Sequence, residues 1–504
     1  MSIFSQDEEF MDNIKKQPPS SLSNTDQSKA EKELADLQLQ KQKQLLQQNQ
    51  IFLNDLFQDN STQPIRIKNV QITNGEQYRD SFIAKQFEPL LENKVLSLEN
   101  YLHTIESISK NFMKLGIVEN ILCNTHQINQ QNSNGFVGFK KNLSGGSAIN
   151  VVPVFNVLPI KKFMAKTGTN IGNGEGDGYI QFQLRNIFGG AENLTFDAIT
   201  GTKTSSSYLI NFNQPINSNA DYIFDSSVSI NSRKLDWIQS NVHSKNLINK
   251  IYTQYNNSFL NHEIILENSL KNLDNYGSKS FQVMKQCGES IKSSIAYNLI
   301  YDSRNNKHLP FKGTLFQLGI EYNGIFKKFN KYPFLKIASL SQTAYHLPWI
   351  NSHLLYTNKC GLLYSLAKNG ETSILDRFYI GGPNDVRAFT LNGLGPKDKN
   401  SFIGGDLFSV GGVSIFTDIP YYKESNFKFH NFINWGKIVK YNQKLTLLQN
   451  FKKLGGSYCL SCGFGILYNH PMARFELNFV LPLVANENDS IRKGIQYGIG
   501  VSFL

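Results

Sequence analysis

From about residue 163 to its end, the chain repeats apolar and polar residues with period two, in runs separated by Gly, Asn, Asp, Ser and Pro. In residues 179–187, Ile180, Phe182 and Leu184 alternate with Gln181, Gln183 and Arg185. The same pattern sets Ile295, Tyr297, Leu299 and Tyr301 against Ala296, Asn298 and Asp302, and Phe316, Leu318, Ile320 and Tyr322 against Gln317, Gly319 and Glu321. Near the end, Phe475, Leu477, Phe479 and Leu481 alternate with Arg474, Glu476 and Asn478, and Ile495, Tyr497, Ile499, Val501 and Phe503 with Gln496, Gly498, Gly500 and Ser502. Such a period belongs to strands with two unlike faces. Alternation alone leaves open whether the apolar face meets lipid or a second sheet. Length separates the two, because several runs reach the ~9–11 residues of a tilted bilayer-crossing strand, against ~5–6 for an ordinary one. The roughly 340 residues available hold some 16 strands at about 20 residues per strand and turn. The expected fold is mainly β, a transmembrane antiparallel β-barrel of about 16 strands, with residues 240–292 the hardest to divide.

Composition agrees. Charged residues make up 18% of the 504, below the ~25% usual in soluble domains, while 36 Phe and 22 Tyr are present. There is no apolar run of roughly 18 residues, so helical membrane spans are not expected. The net charge of +11 suits an anionic partner or a membrane surface. Asp7, Glu8, Glu9 and Asp12, with no Arg before Arg66, do not resemble an organelle presequence, and no secretory signal is visible. The cytosol, or an organelle surface reached from it, is the expected location. Five scattered Cys make no disulfide framework, and Cys459 and Cys462, three apart in an alternating run, fall on opposite faces of a strand. Nine scattered His form no HExxH pair and no Gly-x-Ser-x-Gly elbow stands out, so neither enzyme activity, metal nor cofactor is expected. A nucleic-acid partner is not expected either.

Three domains follow. Residues 1–60 form a polar, Gln-rich tail, disordered or partly helical, with residues 31–50 helix-compatible. Residues 61–160 read as a compact α+β module: a strand near Ile65 and Ile67, two helices carrying Ile83, Phe87, Leu90 and Leu91 and then Leu98 to Leu115, a stop at Gly116, and strands at 117–124 and 149–158. Residues 161–504 form the barrel.

The densest local constellation lies in residues 376–406: Arg377-Phe378-Tyr379-Ile380-Gly381-Gly382-Pro383, Val386-Arg387-Ala388-Phe389, Gly393-Leu394-Gly395-Pro396 and Gly404-Gly405-Asp406. No helix start follows these glycines, which argues against a phosphate cradle. This segment resembles the sixth loop of the BamA-type outer-membrane insertases, whose motif Val/Ile-Arg-Gly-Phe/Tyr stands here as Val386, Arg387, Ala388 and Phe389. Within that family the chain is similar to the core barrel of the mitochondrial sorting and assembly machinery, over residues ~60–504. Residues 432–436, 474–479 with Pro482, and 494–504 resemble the family's closing strands, and the 61–160 module resembles one polypeptide-transport-associated (POTRA) domain.

The resemblance implies a loop folded into the lumen with Arg387 engaging polar residues of the inner wall. Related barrels use an acid in the strand holding Phe432 to Gly436; here that position is Asn434, so Asp406 is the charged candidate partner and Asn434 the neutral one. Ala388 departs from the family Gly and bears on any role needing positive φ. Gln496, Gly498, Val501 and Phe503 fit the family's C-terminal β-signal and mark the gate strand. The implied function is insertion and assembly of β-barrel precursors into the mitochondrial outer membrane at a seam between first and last strands. Implied partners are the precursors, the lipid bilayer and accessory subunits, with the N-terminal domain in the intermembrane space. A passive outer-membrane pore for ions or metabolites is the alternative.

Overall fold

The computed structural model describes residues 24–127, 148–172, 175–255, 258–326, 330–348, 352–419, 425–470 and 474–500. Backbone contacts divide the chain into two compact units. One is Met1–Gln71 with Pro89–Glu106 and Asn124–Val154; the other is Ile72–Glu88 with Ser107–Cys123 and Phe155–Leu504.

Helix α1 (Asn24–Asp59) runs well beyond the 31–50 stretch that composition favours. Strands β1 (Pro64–Ile67), β2 (Gln71–Thr73), β3 (Val95–Ser97), β4 (Val118–Gln127) and β5 (Ile149–Pro159) make a small sheet in the order β2-β5-β1-β3, with β4 also on β5. The two expected helices are α2 (Asp80–Glu92) and α3 (Leu98–Lys114). Gly116, at φ +66°, ends α3 in the left-handed conformation that costs glycine nothing. Phe82, Phe87, Phe112 and Phe155 are fully buried, the Phe87 ring lying 4.7 Å from Phe155 and 5.8 Å from Phe112. Strands β2 and β3 escape a periodicity reading because three residues are too few to show one.

The larger sheet begins with β6 (Phe163–Gly172), β7 (Glu175–Arg185), β8 (Asn193–Gly201), β9 (Thr204–Pro215), β10 (Tyr222–Leu235), β11 (Ser240–Thr253) and β12 (Leu260–Asn275). A short helix, α4 (Phe281–Lys285), precedes β13 (Gly288–Asp302), β14 (Gly313–Asn323), β15 (Phe334–Leu347) and β16 (Ser352–Ser365). A small hairpin, β17 (Lys397–Asp398) and β18 (Ser401–Phe402), lies within the connection to β19 (Leu407–Asp418) and β20 (Phe427–Val439). Helix α5 (Leu447–Leu454) separates β20 from β21 (Cys459–Asn469), and β22 (Arg474–Val484) and β23 (Gly494–Gly500) close the series. Sixteen strands, β6–β16 and β19–β23, pair antiparallel in chain order in one sheet. This is the expected number. The stretch at 240–292 blurs because Ile264, Ile265 and Leu266 of β12 are apolar on both faces.

Laid flat at ~4.8 Å per strand, the first and last strands would lie about 70 Å apart. Instead Cα atoms of β6 and β23 approach within 8 Å. The sheet curls into a barrel, and no ladder joins its two ends among the described residues. An even number of antiparallel strands starts β6 and ends β23 at one rim; residues 366–406, α4 and α5 lie at the other.

The two faces of this wall are chemically opposite. In β22, Arg474, Glu476 and Asn478 are buried inside while Phe475, Leu477, Phe479 and Leu481 are exposed outside, and β20 alternates likewise from Phe427 to Asn434. Among the described residues no helix is long and apolar enough to cross a membrane. The outer belt of the strands meets that requirement. Replacing Ile264, half exposed on the outer face of β12, by Lys is expected to cost about 2–4 kcal/mol in urea unfolding from lipid vesicles. Asn298→Lys, whose side chain meets Glu263 on the inner face, is expected to change stability by less than about 1 kcal/mol.

Candidate functional site

β16 and β19 are neighbours in the sheet, yet residues 366–406 intervene between them. This loop turns inward. Ile380, Val386, Phe389 and Leu394 bury against Phe408 and Val410 of β19, Ile438 of β20 and Cys459 of β21. Ala388 packs with Phe432 and Val480. The inner wall therefore carries an apolar seat amid its polar residues. Gly436 opens part of it, since a Cβ there would come within 2.9 Å of a Val386 methyl.

Backbone pairing adds to the packing. Thr390 N–H donates to Ser490 O, Ser490 N–H to Gly393 O and Arg492 N–H to Ala388 O, each at 2.9 Å, and Phe389 bridges Ile491. These residues lead directly into β23. Within it, Gln496 Oε1 accepts from the Ala388 N–H at 3.1 Å, and Asn384 Nδ2 donates to Ile499 O at 3.2 Å.

Arg387 lies at the centre, fully buried. One guanidinium nitrogen donates to Asn434 Oδ1 at 3.1 Å and another to Glu476 Oε2 at 2.8 Å. Glu476 is a hub: it also accepts from Arg474 Nε at 2.6 Å and Asn478 Nδ2 at 2.8 Å, with His430 Nδ1 at 3.7 Å. One carboxylate thus serves two guanidiniums. Aromatic faces take up the surplus positive charge, Phe432 lying 4.6 Å from the Arg387 guanidinium carbon and Phe416 4.8 Å from that of Arg474. Removing charges from water is costly, and only a network that satisfies the donors and acceptors together offsets it.

Of the two partners expected for Arg387, Asn434 is in contact with it. Asp406 is occupied elsewhere. Its oxygens accept from Thr372 Oγ1 at 2.7 Å and the Tyr441 N–H at 3.2 Å, with Arg377 Nε at 3.9 Å, so it staples the loop where it rejoins the wall. The carboxylate facing Arg387 is Glu476, which sequence reading places only on the polar face of its strand. A signal was present: Arg474 and Glu476 are paired charges, two apart, on the inner face of a strand whose other face is Phe and Leu.

Farther along the loop, Asp376 meets Lys271 at 3.3 Å and Lys292 at 3.7 Å, and its carbonyl accepts from Lys336 at 2.9 Å. Burial alone would push its carboxyl up, but these three lysines hold it below the usual carboxylate range. Ala388 adopts φ +71°, the conformation a glycine takes freely. Gln496 and Gly498 lie in β23, Gly498 opposite Glu476. Val501 and Phe503 fall outside the described residues.

The sixteen-stranded sheet agrees with the comparisons. Residues 186–503 match the Omp85 superfamily domain. The chain belongs to the Omp85 superfamily. It is 29% identical over 465 residues to a SAM50-like protein of Schizosaccharomyces pombe, covering 90% of this chain and 94% of that protein. Against the sorting assembly machinery 50 kDa subunit of Saccharomyces cerevisiae it is 28% identical over 485 residues, covering 89% and 96%. The crystal structure of BamA from Haemophilus ducreyi lacking POTRA domains 1–3 superposes with a TM-score of 0.67 at 11% identity, covering 86% of this chain and 84% of that one. That likeness shows the fold that the two chains share.

Arg387→Ala leaves Glu476 paired with Arg474 but takes a buried donor from both Asn434 and Glu476, and is expected to weaken loop seating by about 1–3 kcal/mol, read as faster proteolysis within residues 366–406 of a barrel that still folds. Ala388→Gly removes a left-handed Cβ and is expected to raise the unfolding midpoint by the equivalent of about 0.5–1 kcal/mol.

Proposed function

We propose that this Omp85 chain inserts and assembles β-barrel precursors in the mitochondrial outer membrane. Membership of the superfamily and the names of its relatives support the reading. The observation that carries it is where the loop motif forms its bonds: on Asn434, Glu476, Gln496 and residues 490–492, all on the C-terminal side of the join between β6 and β23. The last strand is gripped from inside the barrel, so β6 can exchange partners while β23 stays in place.

Both strands at the join are also rich in glycine, Gly168 and Gly172 in β6 and Gly494, Gly498 and Gly500 in β23. Glycine supplies no side chain for cross-strand contact, so this join is weak. A precursor strand in hydrocarbon cannot leave its N–H and C=O groups unpaired, each such group costing several kcal/mol. It needs a borrowed edge. In the proposed cycle the join parts and a client strand bearing the β-signal pairs with β6 in place of this chain's own Gln496-x-Gly498-x-x-Val501-x-Phe503. Client hairpins then add until the new barrel closes and leaves. The energy comes from backbone pairing and lipid burial, with no covalent step, metal or cofactor. Residues 61–160, as a POTRA-like domain facing the intermembrane space, would receive precursors there, and accessory subunits would complete the complex. A passive pore needs a clear lumen, whereas the loop fills part of this one.

The test uses Ala165→Cys in β6. It is expected to form a disulfide with a cysteine placed in the last strand of a radiolabelled mitochondrial barrel precursor, and to lose it when the precursor's β-signal glycine is replaced by Asp. Equal capture of intact and altered precursor would refute the pairing step.

A further inference from the structure

Between β20 and β21 the chain departs from barrel chemistry. Residues 437–456 contain five lysines, Lys437, Lys440, Lys444, Lys452 and Lys453, and no Asp or Glu. Within them α5 begins at a capping box, Thr446 accepting from the Gln449 N–H while the Gln449 side chain accepts from the Thr446 N–H. A helix of two turns with so definite a start is a built element. Its faces are divided. Asn450 and Leu454 are buried, Asn450 donating to the carbonyls of Asn442 and Thr446. Leu447, Leu448 and Phe451 are 53%, 70% and 50% exposed, and at 3.6 residues per turn they share an arc of about 100°. Lys452 borders that arc on the Leu448 side, and Lys453 lies about 100° farther round.

Two observations place the segment against the outer side of the wall. Tyr441 packs edge-on, ring centroids 5.5 Å apart, with Tyr364, which alternation sets on the lipid-facing side of β16 with Tyr356 and Cys360. Leu407, on the outer face of β19 where α5 approaches, is only 2% exposed. The exposed leucines and Phe451 therefore continue the apolar belt of the strands below them, at the rim where that belt ends.

We propose that α5 is an in-plane membrane anchor: it seats Leu447, Leu448 and Phe451 at the headgroup–acyl boundary of the bilayer that holds the barrel, and Lys444, Lys452 and Lys453 engage its anionic headgroups. An exposed apolar arc on a short helix whose own segment, residues 437–456, carries five lysines and no Asp or Glu is the chemistry of helices that lie in a negatively charged interface. The anchor fixes the height of this rim relative to the lipid, and it makes the seating of the barrel sensitive to lipid charge.

The test reads lipid contact in the full chain and is independent of insertase activity. Dansylalanine replaces Leu448, and the protein is reconstituted in vesicles of phosphatidylcholine alone or of equal parts phosphatidylcholine and phosphatidylserine. Heat-shifted gel mobility confirms a folded barrel. Expected is loss of about half the emission to a shallow doxyl-labelled lipid in mixed vesicles, with less in neutral ones. In the K444Q/K452Q/K453Q background the difference between the two compositions is expected to disappear. Quenching by aqueous iodide with none by doxyl lipid would overturn the anchor. Shielding from both quenchers, or shielding that appears only on adding other outer-membrane proteins, would assign the face to a protein partner and overturn it as well. A charge dependence that survives the three substitutions would overturn the role of the lysines.

Discussion

In hydrocarbon a peptide group has nothing to bond to except another peptide group, and the rest of this structure follows from that constraint. Sixteen strands satisfy one another in sequence, and only the two at the ends lack a second neighbour along the chain. Curling brings those ends together. The outer face becomes the apolar belt, and the inner face is freed to carry charges that lipid would exclude. A sheet of this kind has one join that differs from its other fifteen, and here glycine-rich strands form it.

The interior is organised by a second balance. A polar lumen would leave the loop solvated, but part of this wall is apolar, with Phe408, Val410, Ile438 and Val480 facing inward. Hydrophobic packing holds the loop, and the ionic network gives it register. Arg387 reaches both β20 and β22 with one rigid fork, which a lysine ammonium could not do. The cost of burying two guanidiniums with one carboxylate is offset by the Asn434 amide oxygen and two aromatic faces.

Much of this was legible in the sequence. Period two, strand length and the loop motif lead to the barrel and to Arg387, and the two module helices lie where their apolar stripes indicate. Other features were hidden for physical reasons. Glu476 could not be chosen as partner because sequence shows which face a residue occupies and not which strand curls opposite it. Asp406 is near the motif in sequence but returns to the loop base, where Arg377 and Thr372 claim it. Ala388 takes a backbone conformation that its side chain disfavours, because bonds from Gln496 and Arg492 hold it on both sides. Helix α5 was invisible among strand signals, since eight residues give barely two helical repeats.

The position of Glu476 and Gln496 so late in the chain bears on the order of events at the ribosome. Arg387 emerges well before either of them, and until β22 and β23 exist only the Asn434 amide of β20 stands ready for it, with no carboxylate beside it. Its pocket is completed only when Glu476 and Gln496 have been made. A chain cut short before β22 lacks the carboxylate of this site, so withdrawal of this one guanidinium from solvent reports that β22 and β23 are in place.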